Sequence, residues 1–256
     1  MSTAQRQPFL LVVDDSPEIC LIVQHLARRA GQEVDCCSDV PSAWDRLQKR
    51  QPDLLILDVN LPGEDGLVLC RRVRHSADMA KLKIALFSHW DRSADITAGL
   101  TAGADYVLSK ELLCQPEDWQ NRVNDLLNDA DSRAVRLSLS LKEARLADVS
   151  AAKCAAVINQ ALRQAVRRSL DHEVMQVLFA RAAARVGWEL REDWLLPDGR
   201  SVRPERLCAD QAENILGFAL ALKEEIWCVV GTAGSAAFAA SLAAGMPPLA
   251  EILGQP

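Results

Sequence analysis

A run of four apolar residues, Leu54 to Leu57, ends abruptly at Asp58 and is followed by a turn containing Pro62 and Gly63. A short continuous apolar run between turn-forming residues is typical of a strand buried on both faces, as in a parallel sheet. A carboxylate at the end of such a strand is expected in the crevice where open α/β sheets bind ligands. This stretch therefore favours an α/β fold with Asp58 at its functional edge.

The rest of the first half alternates between short apolar runs and segments with helical periodicity. The predicted strands are Phe9 to Val13, Val34 to Cys37, Leu54 to Leu57, Ile84 to Phe87 and Tyr106 to Leu108. The predicted helices begin at or near Pro17, Val40, Gly66, Ser93 and Pro116. Strands that alternate with helices in this way form parallel sheets. We therefore expect a doubly wound, five-stranded parallel sheet in the first half of the chain.

Polar residues follow four of the predicted strands. Asp14 and Asp15 come after the first, Asp58 after the third, Ser88 after the fourth and Lys110 after the fifth. Because the carboxyl ends of parallel strands share one edge, these side chains should converge. Three clustered carboxylates repel one another, and a hard cation with oxygen ligands relieves that repulsion. The pattern therefore indicates a Mg²⁺ site with a fixed positive charge beside it.

This set of groups suits phosphoryl transfer. A cation, an ammonium and a hydroxyl can each take up part of the charge that spreads over the phosphoryl oxygens in the transition state. One carboxylate must then be the nucleophile. Asp58 is the natural choice because it stands alone at the end of the central strand, whereas Asp14 and Asp15 come as a pair, as metal ligands would.

Over residues 8–129 the chain resembles the receiver domain of two-component response regulators, and this resemblance implies a flavodoxin-like fold for that domain. The resemblance rests on polar residues at the expected spacing and on small residues in the loops. The matching residues are Asp14, Asp15, Asp58, Ser88 and Lys110, together with Gly63, Gly66 and Gly103 to Asp105.

The resemblance implies roles in the transfer reaction. Asp58 would accept a phosphoryl group from a phosphohistidine on a sensor histidine kinase or a histidine phosphotransfer protein. Ser88 would donate a hydrogen bond to the phosphoryl group, and Lys110 would form an ion pair with it.

The resemblance also implies a set of metal ligands. Asp15 and Asp58 would bind Mg²⁺ directly, joined by the backbone carbonyl of Asn60. Asp14 would hold a metal-bound water.

Three positions depart from the family pattern. Val107 stands where an aromatic switch residue is usual, and strand alternation points the adjacent Tyr106 to the other face. His89 stands where a small residue usually follows the hydroxyl residue, and its bulk could restrict access to the phosphoryl group. Glu111 replaces the proline that commonly follows the lysine, so the usual cis peptide is not expected.

Composition narrows the class of protein further. Apolar residues make up 49% of the 256 residues, which is ample for a core, and no run is long enough for a transmembrane helix. The eight cysteines form no C-x-x-C pair, so we expect free thiols in a cytoplasmic protein. The formal net charge is −6, and all of this excess lies in the first half.

Residues 130–256 carry patterns of a mainly helical domain with a small β-hairpin. Helical periodicity runs from Lys142 to Leu170 and from Asp171 to Val186, and Trp188 to Val202 has the pattern of a hairpin. Another helix begins at Pro204, and an interruption at Gly231 separates it from an alanine-rich helix. The Lys142–Leu170 stripe is equally typical of a homodimer interface and of an intramolecular core.

We expect this second half to be an output domain that binds an unknown protein partner under the control of the first half. The alternative is a DNA-binding transcriptional regulator with an unrecognised helix-turn-helix, which the balanced charge disfavours. An enzymatic output ranks last, because no catalytic pattern is visible. Two helix faces are basic and could be solvated or bind an anionic partner; they contain Arg163, Arg167 and Arg168, and Arg181 and Arg185.

Overall fold

The computed structural model describes residues 6–89, 93–128, 156–161, 170–187 and 212–245. The chain divides into two compact units, residues 1–130 and 131–256. The assignment of the second unit as an output domain stays a prediction.

The first unit is a five-stranded parallel sheet with flanking helices, as the sequence predicts. Its strands are β1 (Phe9–Val13), β2 (Glu33–Cys37), β3 (Leu54–Asp58), β4 (Ile84–Ser88) and β5 (Tyr106–Ser109), in the order β2-β1-β3-β4-β5. Its helices are α1 (Pro17–Arg29), α2 (Val40–Lys49), α3 (Gly66–His75), α4 (Ser93–Thr101) and α5 (residues 116–128), with a 3-10 helix (Lys110–Cys114) before α5. This strand order defines the flavodoxin-like fold.

The register of the sheet aligns the strand ends that carry the polar residues. Val13 pairs with Leu57, so the residues that follow β1 lie beside the last residue of β3. Ser88 at the end of β4 pairs with Ser109 at the end of β5. Every residue of β1, β3, β4 and β5 is buried, as continuous apolar strands covered on both faces should be.

The start of α3 lies against the end of β3. Asp65 caps the helix, its carboxylate accepting a hydrogen bond from the Leu67 N–H at 2.8 Å. A Cβ atom on Gly66 would lie 2.0 Å from the backbone oxygen of Asp58. Only glycine therefore allows the helix to begin so close to Asp58.

Arg74 ties α3 to the opposite edge of the sheet. Its guanidinium donates to the backbone oxygens of Gly103 and Leu82, each at 2.7 Å, and to the carboxylate of Asp105 at 2.6 Å. Asp105 also accepts a hydrogen bond from the Ile84 N–H at 2.9 Å. One planar side chain thus fixes the segments that lead into β4 and β5.

The described part of the second unit is helical, with α6 (residues 156–161), α7 (His172–Arg185) and α8 (Ala212–Gly245). The predicted interruption of α8 is present, because Gly231 has a φ of 74°. Phe179 on α7 contacts Phe218 on α8 with ring centroids 5.7 Å apart. The predicted hairpin at Trp188 to Val202 lies outside the described residues. No helix in the described ranges is both long enough and apolar enough to cross a bilayer.

The structure corrects the interpretation of Arg181 and Arg185 as a solvated or partner-binding basic face. Both side chains form ion pairs with Glu225 of α8, a fully buried carboxylate, and Arg181 Nε lies 2.9 Å from Glu225 Oε2. A buried carboxylate is stable only when it is paired, so these arginines compensate a charge inside the unit. The other basic face, which contains Arg163, lies outside the described residues.

Candidate functional site

Three carboxylates converge at the carboxyl edge of the sheet. Asp14 and Asp15 follow β1, and Asp58 ends β3. One oxygen of each lies within 4.8 Å of the others. Asp14 and Asp58 are buried, whereas Asp15 is exposed. The cluster therefore has an inner pair of carboxylates and an outer one that faces solvent.

Lys110 supplies the positive charge between the inner pair. Its Nζ lies 2.8 Å from Asp14 Oδ2 and 2.7 Å from Asp58 Oδ2. Only 10% of the lysine side chain is exposed, and the ammonium lies 5.3 Å from the centre of the Phe87 ring. Such charge-assisted contacts in a largely dry setting are stronger than surface ion pairs.

Backbone N–H groups orient both inner carboxylates. Asp14 Oδ1 accepts a hydrogen bond from the Ser16 N–H, and Asp58 Oδ1 accepts one from the Asn60 N–H, each at 3.0 Å. The first oxygen of each carboxylate is thus anchored to the loop that follows its strand. The second oxygen is left facing Lys110.

Burial opposes the ion pairs and hydrogen bonds that act on the pKa values of Asp14 and Lys110. It raises the pKa of Asp14, and this effect exceeds the opposing hydrogen bonds from Lys110 and Ser16. Burial also lowers the pKa of Lys110, but the contacts with Asp14 and Asp58 together outweigh it, so the net pKa of Lys110 lies above its ordinary value. The lysine therefore remains a cation at neutral pH.

Ser88 and Asn60 lie beside the cluster with other partners. The Ser88 hydroxyl is buried and donates to the backbone oxygen of His89 at 3.3 Å. The Asn60 side chain is exposed and donates to Asp95 at 2.9 Å. The proposed contact of Ser88 with a phosphoryl group and the proposed metal contact of the Asn60 carbonyl stay predictions.

The positions that depart from the family pattern are also placed. Val107 and Tyr106 are both buried in β5. His89 and Glu111 contact each other, with His89 Nδ1 2.9 Å from Glu111 Oε1. Sequence reasoning identified both residues as departures but missed their contact. The only signal in the sequence is that each directly follows a site residue.

Residues 10–124 match the model of the response regulator receiver domain family. The strand order and the acidic cluster with its lysine agree with that match. The chain therefore belongs to the response regulator receiver family through its first unit, which is the receiver domain of a response regulator.

The chain is also similar to several solved structures. A protein from Chloroflexus aurantiacus described as a response regulator is 34% identical, over 48% of this chain and 98% of its own, with a TM-score of 0.45. The receiver domain of a signal transduction histidine kinase from Syntrophus aciditrophicus is 27% identical, over 48% of this chain and 92% of its own, with a TM-score of 0.44. The chemotaxis response regulator CheY4 of Vibrio cholerae is 27% identical, over 47% of this chain and 99% of its own, with a TM-score of 0.44.

Proposed function

We propose that the receiver domain accepts a phosphoryl group on Asp58 in a Mg²⁺-dependent reaction and thereby controls the output of the second unit. The observation that carries this proposal is the position of Lys110, whose ammonium lies within 2.8 Å of both Asp14 and Asp58 at the edge of a three-carboxylate cluster. A buried cation shared by these two carboxylates can also stabilise an anionic reactant that arrives between them.

In the proposed reaction an Asp58 carboxylate oxygen attacks the phosphorus of a phosphohistidine. The bond from phosphorus to the imidazole nitrogen breaks, and the released imidazole takes up a proton. Lys110 can then exchange part of its contact with Asp58 Oδ2 for the phosphoryl oxygens. The Ser88 hydroxyl can join them only by giving up its hydrogen bond to the His89 carbonyl.

The acidic cluster fits a magnesium ion. Its three carboxylates offer hard oxygen donors within 4.8 Å of one another, and the exposed Asp15 leaves a side open for water and substrate oxygens. When bound, Mg²⁺ neutralises charge on the incoming phosphoryl group. We assign Asp15, Asp58 and the Asn60 carbonyl as its direct ligands and Asp14 as the holder of a metal-bound water.

The donor follows from the family, since a receiver domain implies a sensor histidine kinase or a histidine phosphotransfer protein as its partner. We propose that the second unit is a non-enzymatic protein-interaction module. The pairing of Arg181 and Arg185 with Glu225 supports this, because it removes one basic helix face that a DNA-binding output could use. Free thiols at the described cysteines fit a reducing cytoplasm as the proposed location.

Phosphorylation can be tested with acetyl phosphate and Mg²⁺ on the full chain, followed by intact mass spectrometry. The expected result is the addition of one phosphoryl group, which disappears in Asp58→Asn and when the metal is chelated. Asp45→Asn, which changes another aspartate of the same unit, on helix α2, is the matched control and should be labelled like wild type. Full labelling of Asp58→Asn would remove Asp58 from the nucleophile role.

The DNA-binding alternative can be tested by the fluorescence anisotropy of a generic duplex. If the second unit is a protein-interaction module, the chain should show no salt-sensitive binding to the duplex. A DNA-binding output should bind the duplex with an affinity that falls steeply as the salt concentration rises, because binding releases the cations held by the phosphates. Binding of the phosphorylated full chain with a steep salt dependence would replace the interaction-module proposal.

A further inference from the structure

The contact between His89 and Glu111 links the two residues that directly follow Ser88 and Lys110. His89 Nδ1 lies 2.9 Å from Glu111 Oε1, and both side chains are about half exposed. The consequence drawn from this contact rests on the proposed function, in which Ser88 and Lys110 bind the phosphoryl group on Asp58.

The topology makes this contact a bridge between neighbouring strand ends. β4 and β5 are adjacent, and the last pair in their register is Ser88 with Ser109. Beyond that pair the chain continues with His89 on one side and with the 3-10 helix Lys110–Cys114 on the other. The Glu111 N–H donates to the Ser109 hydroxyl at 3.2 Å, so the Glu111 end of the bridge is anchored to β5.

A continuous chain of contacts runs from Glu111 to the site hydroxyl. The carboxylate of Glu111 holds the His89 ring, and the backbone oxygen of His89 accepts the hydrogen bond of the Ser88 hydroxyl at 3.3 Å. Lys110, the residue before Glu111, reaches Asp14 and Asp58 with its ammonium. The bridge therefore joins the segment that carries Ser88 to the segment that carries Lys110.

We propose that His89 and Glu111 form a positioning pair that holds Ser88 and Lys110 at the spacing needed to receive the phosphoryl group. The pair acts through its neighbours in sequence and needs no contact with the reacting atoms. Groups that stabilise a transition state are most effective when their geometry is fixed before reaction. Loss of the bridge loosens both groups and slows phosphorylation of Asp58.

The proposal predicts a specific pattern of kinetics. The rate of Asp58 phosphorylation by acetyl phosphate is measured across a range of Mg²⁺ concentrations for His89→Ala, Glu111→Ala and the double variant of the full chain. Each single change should lower the maximal rate about threefold, the size expected for a partly exposed pair. The double variant should be no slower than the slower single variant, because the two side chains act as one unit.

Two further readouts separate positioning from a general loss of structure. The Mg²⁺ concentration that gives half the maximal rate should not change, because the carboxylate cluster is untouched. Glu111→Gln should keep most of the rate, because its amide oxygen can still accept a hydrogen bond from His89. His25→Ala and Glu117→Ala alter exposed residues of the same types and should match wild type.

Contradictory outcomes are equally specific. Unchanged or faster rates in both single variants, or a double variant whose loss is the product of the two single losses, would overturn the positioning role. If wild type takes up no phosphoryl label at Asp58, the proposed function itself is overturned. If wild type is labelled normally at Asp58 and the His89 and Glu111 variants are labelled at the same rate, only the positioning role of the pair is overturned.

Discussion

The ammonium of Lys110 lies 2.7 Å from the Asp58 carboxylate, although 52 residues separate the two in sequence. The same ammonium lies 2.8 Å from Asp14, so one cation serves both buried carboxylates. β3 and β5 are not neighbours in the sheet, since β4 runs between them. The site therefore forms only when the whole sheet is assembled. The charge of its two buried carboxylates is balanced by a single residue, Lys110.

Replacing Lys110 with methionine should slow the phosphorylation of Asp58 by about a hundredfold, the typical loss when one fixed electrostatic group is removed. The side chain stays long and unbranched, but the cation that faces the incoming phosphoryl group is gone. The measurement is the rate of labelling by acetyl phosphate at saturating Mg²⁺. Lys49→Met, which changes an exposed lysine of α2, is the control. Equal rates for the two variants would exclude the proposed role of Lys110.

Gly66→Ala should destabilise the first unit and displace Asp58. The added Cβ would lie 2.0 Å from the Asp58 backbone oxygen, so β3 and α3 must separate. We expect a loss of about 2 kcal/mol in unfolding free energy, typical of overpacking at a rigid position. Amide hydrogen exchange in peptides from β1 and β3 measures this loss.

Gly63→Ala is the matched control for that variant. Gly63 has a φ of 85°, and a Cβ added there would meet nothing within 4 Å, so alanine costs only backbone strain, about 1 kcal/mol. Equal losses of unfolding free energy in Gly66→Ala and Gly63→Ala would show that the clash with the Asp58 backbone oxygen does not cause the destabilisation.

Glu225→Gln should destabilise the second unit. Glu225 is fully buried, and removing its charge leaves Arg181 and Arg185 without their shared anionic partner. We expect a loss of about 2 kcal/mol, smaller than for a fully buried pair because the arginines can turn towards water. Hydrogen exchange in α7 and α8 reports the change, and Glu173→Gln at an exposed position of α7 is the control. Slower exchange in Glu225→Gln would contradict the stabilising role of the pair.

The cysteines should differ sharply in reactivity. Burial raises the pKa of the Cys70 thiol to about 11, and burial with a smaller contribution from Cys36 raises that of Cys20 to about 12. Because the thiolate is the reactive form, iodoacetamide at about pH 8 should modify the exposed Cys114 well before either. Peptide mass spectrometry follows each site. Faster modification of Cys70 than of Cys114 would contradict the burial of Cys70.

The strands and most of the site follow from sequence because their signals are local. Asp58 and Lys110 lie at or just beyond the ends of apolar runs, and parallel topology then places both at one edge of the sheet. The predicted helix bounds also agree closely, since Ser93–Thr101 and Gly66–His75 carry helical periodicity and end signals.

The contacts that the sequence did not predict depend on side-chain directions in loops or on tertiary packing. His89 and Glu111 lie in separate segments, and no periodicity relates them. Arg181 and Arg185 have the spacing of a solvated helix face, and only the packing of α7 on α8 brings Glu225 between them. Helical spacing shows which residues share a face but not what that face meets.

The most direct test of the central claim is chemical identification of the phosphorylated residue. Borohydride reduces an aspartyl phosphate to homoserine, so the full chain is treated with acetyl phosphate and Mg²⁺, reduced, digested and analysed by tandem mass spectrometry. We expect homoserine at position 58 and unmodified aspartate at Asp14 and Asp15. Homoserine at either of those positions, with Asp58 intact, would contradict the assignment of Asp58 as the phosphoryl acceptor.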